Sequence, residues 1–165
     1  MNPVDAIGIE QVWVRLVVAV LIGSVFGLNR ELHGKAAGLR THALVTLGAA
    51  MSAMIALPPH LGGGGSDPNA LGRIIQGILT GVGFLGAGVI LRDPAGHVTG
   101  LTTAATIWVC AGLGIACGLG YWSLIGVSGA LVFAVLLSGR SIERLAERIF
   151  KRHPHEPHEP PDHGV

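Results

Sequence analysis

Residues 98–139 read VTGLTTAATIWVCAGLGIACGLGYWSLIGVSGALVFAVLLSG and contain no Asp, Glu, Lys or Arg. A helix needs about 20 residues to cross a hydrocarbon core of about 30 Å. As one helix this stretch would be about 63 Å long at about 1.5 Å per residue. Because Gly118 and Gly120 mark a turn near its middle, we predict two membrane spans, residues 101–117 and 122–138.

The rest of the chain shows the same preference for lipid. Hydrophobic residues make up 50% of the 165 residues and charged residues 13%, whereas soluble domains carry about 25% charged residues. Three further apolar stretches cover residues 11–28, 41–57 and 71–91. The sequence therefore predicts an all-α fold, a polytopic membrane bundle of about five transmembrane helices. A four-span alternative would leave one apolar segment without a place.

Four residues near span ends have predicted local roles. Arg15 lies near one end of the first span, where its side chain can snorkel to the lipid headgroups. Thr41 is a plausible N-cap for the second span. Tyr121 and Trp122 suit the membrane–water interface.

The distribution of lysine and arginine predicts the orientation. With five spans, one side of the membrane carries nine basic residues and the other carries Arg15 and Arg73. The nine are Arg30, Lys35, Arg40, Arg92, Arg140, Arg144, Arg148, Lys151 and Arg152. We therefore place the N-terminus outside and the C-terminus in the cytoplasm.

The C-terminal part differs from the transmembrane domain, residues 1–139. In residues 140–152 the apolar residues recur at helical spacing, and basic residues cover the other face of the helix. This pattern predicts an amphipathic helix on the inner leaflet. The alternative is a soluble extension of the fifth span. Residues 153–165 are rich in His and Pro, and we predict that they are disordered. The tail histidines could bind a transition metal weakly, although a solvated tail is the simpler interpretation.

The third predicted span is rich in glycine, which lets helix backbones approach closely in lipid. We predict helix packing, inside the bundle or across a dimer, at Gly77, Gly81, Gly83, Gly86 and Gly88. The alternative is a broken or re-entrant helix whose carbonyls line a cavity.

Spans two to five contain no acidic residue at mid-membrane depth, which argues against a dedicated magnesium carrier. The polar groups available there are mainly hydroxyls: Thr46, Ser52, Gln76, Thr80, Thr102, Thr103 and Thr106. Each is more simply explained by hydrogen bonding within its own helix. Cys110 and Cys117 lack the further ligands that zinc requires. We predict no metal site and no cofactor, and the chain shows no nucleophile–base pair of an enzyme.

Charged residues gather instead at the predicted cytoplasmic ends of the spans. We predict a functional cluster at the cytoplasmic mouth of the bundle, formed by Arg30, Glu31, Arg40, Thr41 and Asp93. Such a cluster could bind an ion, a lipid headgroup or a partner protein. The alternative is ordinary positive flanking of the spans, with little energetic value.

Several motifs together resemble the MgtC/SapB family of bacterial inner-membrane proteins. They are GLNRE at 27–31, AGLRTHALV at 37–45, GVGFLGAGVI at 81–90 and GLTTAAT at 100–106, followed by Trp108. The resemblance covers residues 12–138 and implies a hydrophobic domain of four or five spans. It also implies a role for Gly100, Thr102 and Cys117. The other positions that match the family are Arg30, Glu31, Arg40, Thr41, Gly81, Gly83, Gly86 and Gly88.

The resemblance further implies a part in growth at low magnesium and, in some pathogens, in virulence. The family's members modulate other membrane systems, including the proton-translocating ATP synthase. We therefore expect a non-enzymatic modulator whose partners are the bilayer and a membrane protein, with a homo-oligomer possible and no nucleic acid. The alternative is a small oligomeric transporter or channel for Mg²⁺ or another ion. Many members also carry an arginine where this chain has Thr99, and several end in a cytosolic domain.

Overall fold

The computed structural model describes residues 7–57, 69–92, 94 and 96–150, with side chains described as far as residue 138. Within these ranges it contains five helices and one short hairpin. The elements are α1 (Ile9–Leu32), α2 (Leu39–Ile55), α3 (Ala70–Gly88), β1 (Leu91–Arg92), β2 (Val98–Thr99), α4 (Leu101–Leu119) and α5 (Trp122–Phe150). The helices confirm the predicted all-α membrane fold.

The described helices have the length and composition of membrane spans. α1, α3 and α4 each contain an 18-residue window apolar enough to cross a bilayer. α2 and the Trp122–Ser138 part of α5 are shorter apolar helices. The chain is therefore a membrane protein with multiple apolar helices.

α4 is the central helix of the bundle formed by α1–α4. It packs against α1, α2 and α3, while α2 packs against α1 and α3. The chain runs up and down, so the end of α1 lies near the start of α4, where Arg30 reaches Thr103. At the opposite end, Arg15 near the start of α1 reaches Gly118 near the end of α4.

The interior of this bundle is built from small side chains. Ala19, Ala50 and Ala53 are fully buried, as are Ala111 and Cys117. Large apolar side chains point outward instead. Those most exposed on the helices as far as residue 129 include Leu21, Leu44, Ile55, Phe84 and Val127. This arrangement fits a lipid environment, in which small residues allow close helix packing and large ones face acyl chains.

The turn between α1 and α2 differs from its prediction. α1 continues to Leu32, beyond the predicted end at residue 28, and α2 begins at Leu39. Gly38 occupies the N-cap position, so the assignment of Thr41 as N-cap is wrong. The physical reason is that a carboxylate oxygen of Glu31 accepts a hydrogen bond from the backbone N–H of Leu39, at 2.9 Å. Glu31 thus satisfies an amide that an N-cap hydroxyl would otherwise reach.

The connection between α3 and α4 also differs from its prediction. α3 ends at Gly88 rather than residue 91, and an antiparallel hairpin follows, pairing Leu91 with Thr99 and Arg92 with Val98. Gly100 closes the hairpin with φ +90°. A Cβ at Gly100 would collide with the carbonyl group of Val89, so both its backbone angle and its surroundings require glycine.

The chain divides into two compact units, Met1–Gly129 and Ala130–Val165. α5 continues without a break through the predicted junction at residue 140 to Phe150. The alternative of a soluble extension of the fifth span stays a prediction. An amphipathic role on the inner leaflet stays a prediction, because the side chains of 139–150 lie outside those described. Residues 151–165, including the predicted disordered tail, lie outside the described residues.

Candidate functional site

Five polar side chains are buried among the described residues. They are Arg30 on α1, His42 and Thr46 on α2, and Thr103 and Thr106 on α4. Burying a polar group costs free energy unless it finds a hydrogen-bond partner. Each of these residues therefore has to be matched with the group that it contacts.

Arg30 lies in the last turn of α1 and is only 6% exposed. Its Nη2 atom donates a hydrogen bond to Oγ1 of Thr103, at 2.5 Å. Arg30 is thus buried at the end of α1, and its part in the predicted functional cluster stays a prediction. Because α1 is one turn longer than predicted, the guanidinium group turns toward α4 instead of toward water.

His42 is fully buried in the first turns of α2. Its Nδ1 lies 2.9 Å from the carbonyl oxygen of Gly38, so Nδ1 carries the proton and donates it. Among the described residues, Nε2 has no hydrogen-bond partner. The carbonyl group of His42 accepts a hydrogen bond from Oγ1 of Thr46, at 2.7 Å.

The sequence interpretation did not single out His42, although a usable signal was present. The N-cap residue Gly38 is followed at intervals of four residues by His42 and Thr46, which share one face of α2. The same face continues with small residues, Ala49, Ala50 and Ala53. A histidine on a face of small residues is placed to enter a helix interface.

An open recess of about 440 Å³ lies where α1 turns into α2. It is lined by Glu31, Lys35, Gly38, Leu39, Arg40 and Thr41, and we call it the α1–α2 recess. It brings together three members of the predicted cluster, Glu31, Arg40 and Thr41, and adds Lys35. Arg30 does not line it, and Asp93 lies outside the described residues.

The glycines predicted to pack in α3 are largely without close neighbours. An added Cβ would meet nothing within 4 Å among the described residues at Gly77, Gly81, Gly83 and Gly88. At Gly86 it would lie 3.5 Å from Cβ of Ala104, an ordinary contact. The prediction of close packing inside the bundle is therefore wrong for the four glycines other than Gly86. Packing of these glycines across a dimer stays a prediction. The alternative of a broken helix is wrong too, because α3 is continuous across these glycines.

Close helix contacts occur instead at glycines of α1 and α4. A Cβ at Gly23 would lie 2.5 Å from Oγ1 of Thr46, and one at Gly27 would lie 2.6 Å from Cα of Leu39. On α4, a Cβ at Gly114 or Gly118 would collide with carbonyl oxygens of α2. Each pair has the GxxxG spacing, which Gly77 and Gly81 of α3 also show, so this spacing marks close contacts in α1 and α4 but not in α3.

Gly100, Thr102 and Cys117 do not form one site. Gly100 closes the hairpin, Thr102 is exposed in the first turn of α4, and Cys117 is fully buried near its end. Thr102 and Cys117 are about 22 Å apart along the helix at about 1.5 Å per residue. Cys117 packs in a cluster with Ala19, Ala50, Ala116 and Ile125.

The remaining intramembrane hydroxyls mostly bond to their own helices. Oγ1 of Thr80 donates to the carbonyl oxygen of Gln76, and Oγ1 of Thr106 donates to that of Thr102. Ser52 makes the same bond to Gly48. The described part of the chain contains no group of three or more His, Cys, Asp or Glu side chains placed to hold a metal ion.

Arg15 contacts the end of α4, an interaction that the snorkelling prediction did not include. Its Nη1 atom donates to the carbonyl oxygen of Gly118, at 2.7 Å, and its guanidinium group lies against Gly120. The last carbonyls of a helix lack partners within the helix and attract cations. The end of α4 thus binds an arginine that would otherwise reach the membrane surface.

Comparisons with known proteins add a family relationship to this geometry. A model of the MgtC family matches residues 16–145. Protein SrpB of Synechococcus elongatus is 44% identical over 80% of this chain and 76% of its own. Protein MgtC of Salmonella typhimurium is 45% identical over 64% of this chain, and "Putative magnesium transporter YhiD" of Escherichia coli K12 is 38% identical over 75%.

The chain aligns with only part of two of these relatives. The matched region spans 42% of Salmonella MgtC and 58% of YhiD. No solved structure matches the chain.

Proposed function

The chain belongs to the MgtC family, and from that premise we propose that it modulates another complex of the bacterial inner membrane. The proposed setting is adaptation to low magnesium or virulence. The proposed target is the ATP synthase or a transporter, as the family resemblance suggests. In this proposal the chain is not an enzyme, and its C-terminus lies in the cytoplasm.

The observation that carries the proposal is the α1–α2 recess. It presents the side chains of Lys35 and Arg40 beside Glu31 and Thr41 on an open surface. Under the predicted orientation this surface faces the cytoplasm. Its mixed charges and hydroxyl group suit contact with polar groups of a partner protein, because they combine donors and acceptors at the membrane boundary.

The bundle interior supports a binding role over conduction. Arg30 and Thr103 hydrogen-bond to each other. The hydroxyls of Thr46 and Thr106 bond to carbonyls of their own helices. Groups used in this way stabilise the bundle and offer little to a hydrated cation, which requires several oxygen ligands at once.

The proposal is tested by copurification from native membranes in a gentle detergent. Arg40→Ala should reduce both partner recovery and growth at low magnesium while leaving membrane yield unchanged. The matched control is Glu10→Ala, which removes an exposed charge at the opposite end of α1. Recovery of the unmodified chain without any partner, or full complementation by Arg40→Ala, would contradict the proposal.

A second candidate function is ion transport by an oligomer. The relative YhiD of Escherichia coli K12 is named a putative magnesium transporter. A groove of about 370 Å³ between α2 and α3 is lined by Gly48, Ser52, Gly77 and Gly81 among others, and a second copy could convert it into an enclosed path. Reconstitution into liposomes tests this candidate, since Mg²⁺ or proton flux no greater than that of empty vesicles would remove it.

A further inference from the structure

The strands β1 and β2 form a hairpin between α3 and α4, which we call the α3–α4 hairpin. Four apolar side chains in this hairpin and directly beside it are exposed. Ile90 is 38% exposed, Leu91 60%, Val98 48% and Leu101 60%. In water, each exposed apolar side chain forgoes the free energy gained by burial. These residues therefore indicate that the hairpin contacts something other than bulk solvent.

The position of the hairpin is limited by the two spans that it joins. α3 ends at Gly88 and α4 begins at Leu101, so the strands are attached within a few residues of both helix ends. The exposed apolar surface continues onto α3 through Phe84 and Leu85. The hairpin is thus continuous with surface that faces acyl chains.

The backbone of the hairpin limits how deeply it can enter the membrane. Among the described residues, β1 and β2 pair only with each other, so the outer edge of each strand leaves backbone N–H and C=O groups unpaired by the sheet. Such groups are not tolerated in the hydrocarbon core. Arg92 is exposed as well, and its charge requires water or a headgroup. These groups restrict the hairpin to the headgroup layer.

The strand register distinguishes lipid from a docked protein. Arg92 pairs with Val98, and Leu91 pairs with Thr99. Paired residues share a face and neighbouring residues alternate, so Leu91 and Val98 point to opposite faces. A protein docked on one face would leave the other apolar side chain in water, whereas lipid surrounds both.

We propose that the α3–α4 hairpin is a lipid-binding element that lies in the headgroup layer, at the same end of the bundle as the α1–α2 recess. Leu91 and Val98 contact the upper acyl chains, and Arg92 binds the phosphate of an anionic phospholipid. This inference does not depend on the proposed modulatory function.

The depth of the hairpin is measurable with nitroxide labels on Leu91→Cys and Val98→Cys in liposomes. Reference labels are Lys35→Cys in the recess and Leu44→Cys on the exposed apolar side of α2. Cys110 and Cys117 are fully buried, and the unsubstituted protein controls for their labelling. The ratio of accessibility to oxygen over accessibility to a water-soluble nickel complex should be higher for the labels at both hairpin sites than for the label at the Lys35 site. A water-like ratio at both sites would overturn the proposal, as would protection from both reagents in native membranes, which indicates a protein partner.

The arginine contact is tested with spin-labelled lipids. Arg92→Gln should lower the preference for phosphatidylglycerol over phosphatidylcholine by up to about fivefold, the effect of one basic residue at an anionic surface. Arg40→Gln is the matched control and should change the preference less. Unchanged selectivity in Arg92→Gln would overturn the contact. Loss of selectivity on adding inorganic phosphate would show that the site takes free phosphate, and would overturn the lipid assignment.

Discussion

Nη2 of Arg30 and Oγ1 of Thr103 are joined by a 2.5 Å hydrogen bond between residues 73 positions apart in the sequence. The bond ties the last turn of α1 to the first turn of α4, immediately after the hairpin. Both residues are almost fully buried, so water cannot replace a lost partner. The pair therefore belongs to the structural core of the bundle rather than to its surface.

Thr103→Val should destabilise the bundle by about 0.5–2 kcal/mol, because valine keeps the shape of threonine but cannot accept the hydrogen bond. Thr102→Val is the control, since Thr102 is exposed one position away. Equilibrium unfolding in mixed micelles measures the difference. Equal stability of the two variants would show that the Arg30 bond contributes nothing.

Gly114→Ala should destabilise the bundle strongly, because the added methyl group would collide with the carbonyl oxygen of Thr46. Gly81→Ala should be neutral or stabilising by up to about 1 kcal/mol, since alanine favours helix and no described atom lies nearby. Membrane yield and thermal stability in detergent compare the two. A severe loss in Gly81→Ala would instead indicate that a second copy or another protein covers α3.

Glu31→Ala should loosen the start of α2, since it removes the oxygen that binds the backbone N–H of Leu39. Loss of a capping interaction costs about 0.5–2 kcal/mol. Amide hydrogen exchange at Leu39 should accelerate, and Glu31→Gln should retain part of the protection because it keeps an acceptor oxygen. Lys35→Ala is the control from the same recess. Unchanged exchange in Glu31→Ala would show that the carboxylate does not cap the helix.

Arg15→Leu should destabilise the far end of the bundle. It removes the donor to the carbonyl of Gly118 and a positive charge from the C-terminal end of α4. Detergent unfolding should show a loss of about 1.5–3 kcal/mol, the range for hydrogen bonds to charged groups. Gln11→Ala, at an exposed position one turn earlier, serves as the control. If Arg15→Leu were as stable as the control, the snorkelling prediction would be restored.

The membrane spans could be predicted because they depend on properties carried by each segment alone. The charge-free stretch 98–139 yielded α4 and the start of α5 at nearly the predicted limits. An apolar segment long enough to cross the hydrocarbon core is stable in lipid whichever helices lie beside it. The hairpin at Leu91–Thr99 was not predicted, because its two-residue strands are too short to show an alternating pattern.

The charged cluster was only partly predictable. Glu31, Arg40 and Thr41 do meet in the α1–α2 recess, because the short connection keeps them close. Arg30 stands beside Glu31 in the sequence yet lies on a different side of α1, since successive residues of a helix point about 100° apart. Which of the two is buried depends on where α4 lies.

The sequence by itself determined that this protein lies in lipid, how many apolar helices it has and which family motifs it carries. Each of these properties is local or additive along the chain. Tertiary structure alone decided that α1 and α4, rather than the glycine-richest α3, make the closest contacts with α2. It also decided that Arg30 and Arg15 turn inward to Thr103 and Gly118. The reason is that a GxxxG pattern or a terminal arginine acquires its role only from the atoms facing it, and those atoms come from helices far away in the sequence.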